Sequence, residues 1–218
     1  FTEFPFHLLK RPALIRTLID VSARLSRERA AIRLLYELLI KRYPDISIGS
    51  LVPYAALFDV VFLREGLTGG SRNEELEAVR QTYYERLEPI IEEMYEGEQA
   101  ERARLVVKTV LLCGLSKTLR NDVTVERVLH LNYQDLRGRT AFGSCQAIAR
   151  ILGELDNRSE LVHFNANPAN PALGTVDITL ASGVQLADVL KRIPVNWRQR
   201  GEAFSELMKD CLGKPIVS

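Results

Sequence analysis

The sequence predicts a mainly α-helical fold that carries one small β-hairpin. Apolar residues recur at helical spacing through most of the 218 residues, which is typical of packed amphipathic helices. Two β-rich runs, Glu160 to Asn165 and Thr175 to Leu180, flank the turn sequence Asn-Pro-Ala-Asn-Pro. A hydrophobic content of 46%, with 29 basic and 28 acidic residues, excludes a disordered or fibrous chain.

Charge is segregated along the chain, and this segregation guides the predicted domain boundaries. Residues 1–64 carry ten basic and six acidic groups, residues 65–100 carry three and ten, and residues 101–150 carry nine and four. The glycines at 66, 69 and 70 mark a loop where the first basic region ends. We therefore expect a helical subdomain at 1–64, an acidic connector at 65–100, a third region at 101–182 and C-terminal helices at 183–218. A hinge or short connector is expected at Glu98 to Glu101, between two compact lobes.

The first region is expected to contain three helices. Pro12 suits a first helical turn, and the apolar spacing that follows predicts a helix over 12–25. Ser26 is a plausible N-cap for a second helix that ends before Pro44. A third, short helix is expected near Pro53 to Phe62.

The acidic connector is predicted to be one long amphipathic helix. Ser71 followed by Glu74 matches a capping box, and apolar residues continue at helical spacing to Met94. Pro89 lies inside this pattern and removes one backbone hydrogen bond, so we expect a kink or break there.

The region after Glu101 predicts a winged helix. One buried helix follows Glu101, a second is expected to begin at Thr124 and a third at Ser144. Three helices and then a hairpin are the order of a winged-helix domain. Helical spacing returns after 183, and these last helices are expected to pack against the preceding domain.

Several kinds of site are excluded by the residues present. The three cysteines and three histidines lack metal-ligand spacing, and no local motif suggests a catalytic triad or dyad. The glycine-rich stretch at 66–71 lacks the Walker A layout that wraps phosphates. No apolar run approaches the ~18 residues that span a bilayer, and no secretion leader is present, so a cytoplasmic location is expected. The chain lacks an initiator Met and is expected to be part of a longer protein.

An arginine cluster at the start of the second helix indicates an anion partner. Arg27, Arg29 and Arg33 lie within seven residues, and guanidinium groups bind phosphates through bidentate hydrogen bonds. The alternative is that Arg27 and Arg29 pair with Glu28, Glu37 or solvent.

This segment resembles the sensor-2 part of the helical lid of AAA+ ATPases, whose pattern is similar to G-x-x-R-x-L. Ala30 replaces the glycine, and Arg33 takes the arginine position. The opening Phe4-Pro-Phe-His7 is similar to a motif that precedes this lid in large bacterial ATPases, although Leu8 replaces the motif's second proline. With Leu51-Val-Pro-Tyr54 and the helical-then-winged order, the chain most closely resembles the ATPase family of BREX-type phage-resistance systems.

The resemblance implies a parent ATPase that acts in antiviral defence. It implies ATP and Mg bound mostly outside this chain, nucleotide sensing by Arg33 with Arg29 and Arg27, homo-oligomerisation, and other defence-system subunits as partners. The chain itself is not expected to be an enzyme. A different interpretation is a winged-helix interaction scaffold or transcription regulator without nucleotide involvement.

The predicted winged helix suggests a second site, for DNA. Arg137 and Arg139 precede its third helix and would contact phosphates, while Gln146 and Arg150 lie on the side opposite the apolar positions. The hairpin turn carries asparagines rather than basic residues, so the electrostatic footprint is weak. DNA contact and protein contact therefore remain equal interpretations of this face.

Overall fold

Helices and one antiparallel hairpin make up the described part of the chain. The computed structural model describes residues 12–25, 29–38, 52–62, 73–121 and 123–180. The helices are α1 (Pro12–Ser22), α2 (Ala30–Tyr36), α3 (Ala56–Phe62), α4 (Glu74–Gln81), α5 (Glu88–Met94), α6 (Gly97–Leu115), α7 (Val125–Leu131), α8 (Tyr133–Leu136) and α9 (Ala141–Arg158). The strands are β1 (Val162–Asn165) and β2 (Thr175–Ile178). The mainly helical class predicted from the sequence is confirmed at this level.

The first three helices follow the predicted apolar stripes with shorter bounds. Helix α1 ends at Ser22, because residues 23–25 form a turn rather than the last helical turn that was predicted. The predicted N-cap Ser26 lies outside the described residues. Helix α3 is buried on nearly all sides, with Phe58 and Phe62 fully enclosed, which places it in the core rather than on the surface.

The acidic connector is a helix whose hydrogen bonding changes before Pro89. Asn73 caps it, since its side chain accepts a hydrogen bond of 3.0 Å from the amide of Leu76. The predicted cap Ser71 lies outside the described residues. Between α4 and α5 the chain forms a π-helical segment, Thr82–Leu87. A wider turn accommodates the missing N–H and the ring of Pro89, so the expected disruption takes the form of a π-helical segment.

Helix α6 is the central element of the core. It contacts α1, α3, α5, α7, α9 and β2. From Val106 to Cys113 apolar side chains are buried on successive faces, which is the pattern of a helix surrounded by others. Lys108 enters this core and is neutralised by Asp59 of α3, with 2.6 Å between Nζ and Oδ1. The long buried helix predicted after Glu101 is therefore present, and it begins four residues earlier.

The last part of the described chain contains α7 to α9 and the hairpin. Thr124 caps α7 as predicted, because its hydroxyl accepts a hydrogen bond of 3.2 Å from the amide of Arg127. The predicted start of the next long helix at Ser144 is wrong: α9 begins at Ala141 and is capped by Thr140. Strands β1 and β2 pair antiparallel with Asn165 opposite Thr175, which confirms the predicted hairpin.

One apolar core runs through these elements, from Leu14 of α1 to Ile178 of β2. The connector predicted at Glu98 to Glu101 is wrong, since those residues form the first turn of α6 and the helical pattern breaks at Tyr95 and Glu96. The chain divides into two compact units, Phe1–Ala181 and Ser182–Ser218. The second unit, with the predicted C-terminal helices, lies outside the described residues, and the finer division of the first unit stays a prediction.

Candidate functional site

The start of α9 is fixed by a short network of hydrogen bonds. Thr140 accepts a hydrogen bond of 3.0 Å from the amide of Gly143, which satisfies one of the free amides at the helix end. Ser144 donates to the carbonyl of Thr140 and accepts a hydrogen bond of 2.7 Å from the amide of Gly138. The loop between α8 and α9, which carries Arg137 to Arg139, is thereby attached to the first turn of α9.

The four residues predicted to contact DNA are all exposed along this stretch. Arg137 and Arg139 lie in the loop before α9, and Gln146 and Arg150 lie one helical turn apart on α9. The opposite side of α9 buries the apolar side chains Ile148, Ile151, Leu152 and Leu155. The predicted amphipathic orientation of this helix is therefore correct, although the contact with DNA remains a prediction.

The electrostatic surroundings of these arginines differ. Within the described ranges, neither Arg137 nor Arg139 has a carboxylate partner. Arg150 lies near Glu154, with 3.9 Å between Nε and Oε1, and its side chain is 64% exposed. The loop arginines are thus available to an external anion, whereas the carboxylate of Glu154 partly offsets the charge of Arg150.

A groove lies beside α9 on the same face. Its volume is about 830 Å³, and it separates α9 from the hairpin turn. Gln146 and Arg150 line it on the helix, and Asn167 lines it on the turn. Its lining also includes the small residues Gly143, Ala147, Ala149, Gly153 and Ala166. The groove is open and mostly neutral, so its chemistry suits an uncharged chain segment at least as well as a phosphate backbone.

Phe164 forms part of this groove and explains the glycine at 174. The ring of Phe164 is partly buried, and a Cβ added at Gly174 would lie 3.0 Å from two of its ring atoms. On α9, Gly153 leaves 3.9 Å between such a Cβ and the same ring. Helix α9 is continuous through Gly153, and a Cβ there would make an ordinary van der Waals contact with the ring.

The arginines predicted to sense nucleotide lie at α2. Arg33 is exposed in the last turn of α2, and Arg29 is exposed at its N-terminal end. Arg29 has a left-handed backbone with φ of 62°, and its carbonyl accepts the amide of Arg33 at 3.1 Å. Arg27 lies outside the described residues. The exposed side chains of Ile32 and Tyr36 share this helix, so the surface around Arg33 is part apolar and part cationic.

Sequence reasoning missed a contact of Glu154 with Tyr95, which together with Glu96 forms the short connector between α5 and α6. Tyr95 donates a hydrogen bond of 2.5 Å to Oε2 of Glu154. Burial, followed by this hydrogen bond and the charge of Glu154, raises the pKa of Tyr95, so the hydroxyl keeps its proton at neutral pH. The two residues are 59 positions apart, and no local spacing in the sequence could have indicated their contact.

Thiol and metal chemistry find no support among the residues that the structure describes. No group of three or more His, Cys, Asp or Glu side chains there is arranged to hold a metal ion. Burial raises the pKa of Cys113 to about 12, so its thiol is unreactive at neutral pH. No described helix has both the length and the apolar character that crossing a bilayer requires.

The comparisons with known proteins identify the family. Residues 2–168 match the family model described as the second domain of the BREX system ATPase PglY protein. The chain belongs to this BREX family. Neither a curated protein nor a solved structure matches the chain. The family membership confirms the predicted relation to BREX-type ATPases of phage defence and is consistent with a fragment of such an ATPase.

Proposed function

We propose that this BREX domain links a nucleotide-responsive helical lid to a winged helix that contacts duplex DNA. The parent would be a cytoplasmic, homo-oligomeric ATPase that acts with other defence-system subunits. The family match favours an ATPase over the alternative of a scaffold or transcription regulator without nucleotide involvement. The observation that carries DNA contact is the exposed row formed by the loop before α9 and the outer face of α9.

The order and pairing of the elements support a winged helix. Helix α6 is followed by a short extended stretch, in which Thr124 bridges Thr175. The amide of Val176 donates to the carbonyl of Val123 at 3.0 Å, so this stretch adds to the free edge of β2. Helices α7 to α9 follow, and then β1 and β2. A strand after the first helix that pairs with the last strand of the hairpin is the winged-helix arrangement, with α9 as the recognition helix.

Weak, salt-dependent DNA binding is what three arginines supply. If Arg137, Arg139 and Arg150 each neutralise one phosphate, the slope of log K against log salt is about −2.7. Affinity then falls about 40-fold between 50 and 200 mM salt. Gln146 can reach a base edge from the exposed face of α9, but one such contact confers little specificity. Strong binding requires several copies of the domain on one DNA, as an oligomeric parent would provide.

A charge-reversal experiment tests this function. The affinity of the full-length protein for duplex DNA is measured at two salt concentrations, for the unaltered protein and for the triple variant Arg137→Glu, Arg139→Glu and Arg150→Glu. We expect the variant to lose binding and the salt slope. The matched control reverses three exposed charges that lie outside α9 and the groove: Arg16, Arg86 and Lys117. Equal DNA affinity of the unaltered protein and the triple variant would contradict DNA contact. An equal loss of affinity in the control would show that net charge, and not this face, accounts for the binding.

The nucleotide part of the proposal rests on Arg33. Its guanidinium is exposed and suits a phosphate of an ATP molecule that residues outside the described part would bind. Among the described residues, no cluster of carboxylates is arranged to hold Mg. Arg29 and Arg27 would assist from the start of α2. ATP supplies the phosphate whose transfer the parent's P-loop residues would catalyse; Arg33 would contact its charge and report hydrolysis to the lid.

Substitution of Arg33 tests this role. Arg33→Ala in the full-length protein is expected to lower ATP hydrolysis by about 10-fold or more, as does the loss of one charge-stabilising donor elsewhere. Arg16→Ala, which removes an exposed arginine from the neighbouring α1, is the control and should leave hydrolysis unchanged. Unchanged hydrolysis in the Arg33 variant would show that it is a surface residue.

Protein contact is the second candidate, and the groove favours it. The lining supplies amides, small residues and the Phe164 ring, and its charged members Arg150 and Asp156 are of opposite sign. Such a surface can accept an extended segment of another subunit by hydrogen bonds to its backbone. This candidate predicts that a partner subunit binds with an affinity that does not depend on salt. Ala147→Arg should abolish that binding and leave the DNA affinity of the protein unchanged.

A further inference from the structure

Glu154 lies between two partners that belong to different parts of the fold. One carboxylate oxygen accepts the hydroxyl of Tyr95 at 2.5 Å, and the other faces Nε of Arg150 at 3.9 Å. Tyr95 is in the connector between α5 and α6, whereas Arg150 and Glu154 are four residues apart on α9. The carboxylate therefore touches both the connector and the proposed DNA face.

The two distances show which partner holds the carboxylate. A charge-assisted hydrogen bond from a hydroxyl is 2.5–2.7 Å long, and the Tyr95 contact has this length. A closed arginine–carboxylate pair has N···O distances near 2.7–2.9 Å, and the Arg150 contact is about an ångström longer. Residues at i and i+4 of a helix can close such a pair. Tyr95 therefore holds Glu154 where Arg150 stays only loosely paired.

The position of Tyr95 is itself fixed by the acidic helix. Its amide donates a hydrogen bond of 2.9 Å to the carbonyl of Ile91 at the end of α5. The ion pair of Glu93 with Arg158 is a second contact to α9. Glu93 lies two residues before Tyr95, and Arg158 lies four residues after Glu154. The hydroxyl of Tyr95 thus approaches Glu154 from the segment between α5 and α6, and not from α9 itself.

We propose that Tyr95 is a positioning residue for DNA contact, which withdraws the Glu154 carboxylate from Arg150 and leaves that guanidinium available to a phosphate. This inference rests on the proposed DNA function. When Arg150 turns to a phosphate, Glu154 keeps a hydrogen-bond partner in Tyr95, so its charge is not left without one. A change in the connector that moves Tyr95 would let Glu154 close on Arg150 and weaken DNA binding.

A double-substitution cycle in the full-length protein, with duplex DNA as the probe, tests the proposal. Tyr95→Phe is expected to lower affinity about threefold, and Glu154→Gln to raise it about fivefold, which is the range of exposed charge pairs. The double variant should bind as Glu154→Gln alone does, because the hydroxyl acts only through the carboxylate. In an Arg150→Gln background, Tyr95→Phe should have no effect on DNA affinity.

Glu74→Gln is the matched control, since it removes one exposed acidic charge from α4 and has no hydrogen bond or ion pair with Tyr95, Arg150 or Glu154. An equal gain of affinity in this control would assign the effect of Glu154 to net charge and overturn the proposal. A loss of affinity from Tyr95→Phe that persists in the Glu154→Gln background would assign Tyr95 a purely structural role and also overturn it. If the protein shows no salt-dependent DNA binding at all, the DNA function itself fails, and this inference fails with it. Unchanged affinity of Tyr95→Phe in a protein that does bind DNA overturns the inference alone.

Discussion

Asn132 is the residue whose removal tests most directly how the described elements are held together. Its side chain is fully buried and accepts a hydrogen bond of 3.2 Å from the amide of Ala55, just before α3. It also donates to the hydroxyl of Thr109 on α6 at 2.6 Å. One amide thus connects the predicted lid region, the central helix and the end of α7.

The cost of Asn132→Ala follows from these partners. The amide of Ala55 would lose its acceptor in the interior, which costs about 1–3 kcal/mol. The hydroxyl of Thr109 keeps its own acceptor, the carbonyl of Leu105 at 2.7 Å, so its loss is smaller. With the cavity left by the amide, we expect the free energy of unfolding to fall by about 3 kcal/mol. The melting temperature should then fall by about 9 °C in a chain of this size.

Equilibrium unfolding in urea measures this change. Asn132→Ala should shift one cooperative transition to lower urea without changing its slope, while the exposed control Asn121→Ala should shift it by less than about 0.5 kcal/mol. A loss below 1 kcal/mol would refute the argument from the buried amide. Two transitions, of which only one shifts, would show that residues 12–62 and the part after α5 unfold separately.

Three further predictions concern packing, the buried thiol and nucleotide. Gly174→Ala should lower the free energy of unfolding by about 1–3 kcal/mol, because its Cβ would lie 3.0 Å from the Phe164 ring, whereas Gly114→Ala, with open space around it, should not destabilise; thermal melts compare the two. Cys113 should resist iodoacetamide at pH 8 until urea unfolds the chain, since a pKa near 12 leaves about one thiolate in ten thousand, and mass spectrometry of its peptide would expose an early reaction. The isolated 218-residue chain should bind ATP poorly or not at all, because it lacks a Walker A loop, and tight binding by calorimetry would contradict this.

Much of the fold could be predicted because its signals are local. The apolar spacing of α9 and the turn residues between β1 and β2 each lie within one short window, and both elements form as predicted. The exact helix start was predicted less well: Ser144 is as good a capping residue as Thr140, but Thr140 is the one whose extended backbone directs its hydroxyl at a free amide.

The contacts between residues far apart in the chain could not be predicted from local spacing. Asn132 reads as a residue at the end of a short helix, and nothing near it indicates that it accepts the amide of Ala55. Tyr95 and Glu154 likewise belong to separate helical patterns, and only the packing of α5 against α9 brings them together. Sequence patterns therefore located the exposed arginines but not the long-range contacts of Asn132 and Tyr95.

The continuity of the core limits how a nucleotide signal could reach the α9 face. Asp20 of α1 accepts hydrogen bonds from Ser116 and from the amide of Lys117 at the end of α6, and Asp59 of α3 binds Lys108 within α6. Residues 98–101, where a hinge was expected, are helical. A displacement of the lid region would therefore carry α6 with it rather than bend the chain at that point. The break at Tyr95 and Glu96 separates α5 from α6, and Tyr95 there contacts the carboxylate beside Arg150. The proposed nucleotide and DNA functions would thus meet at this connector.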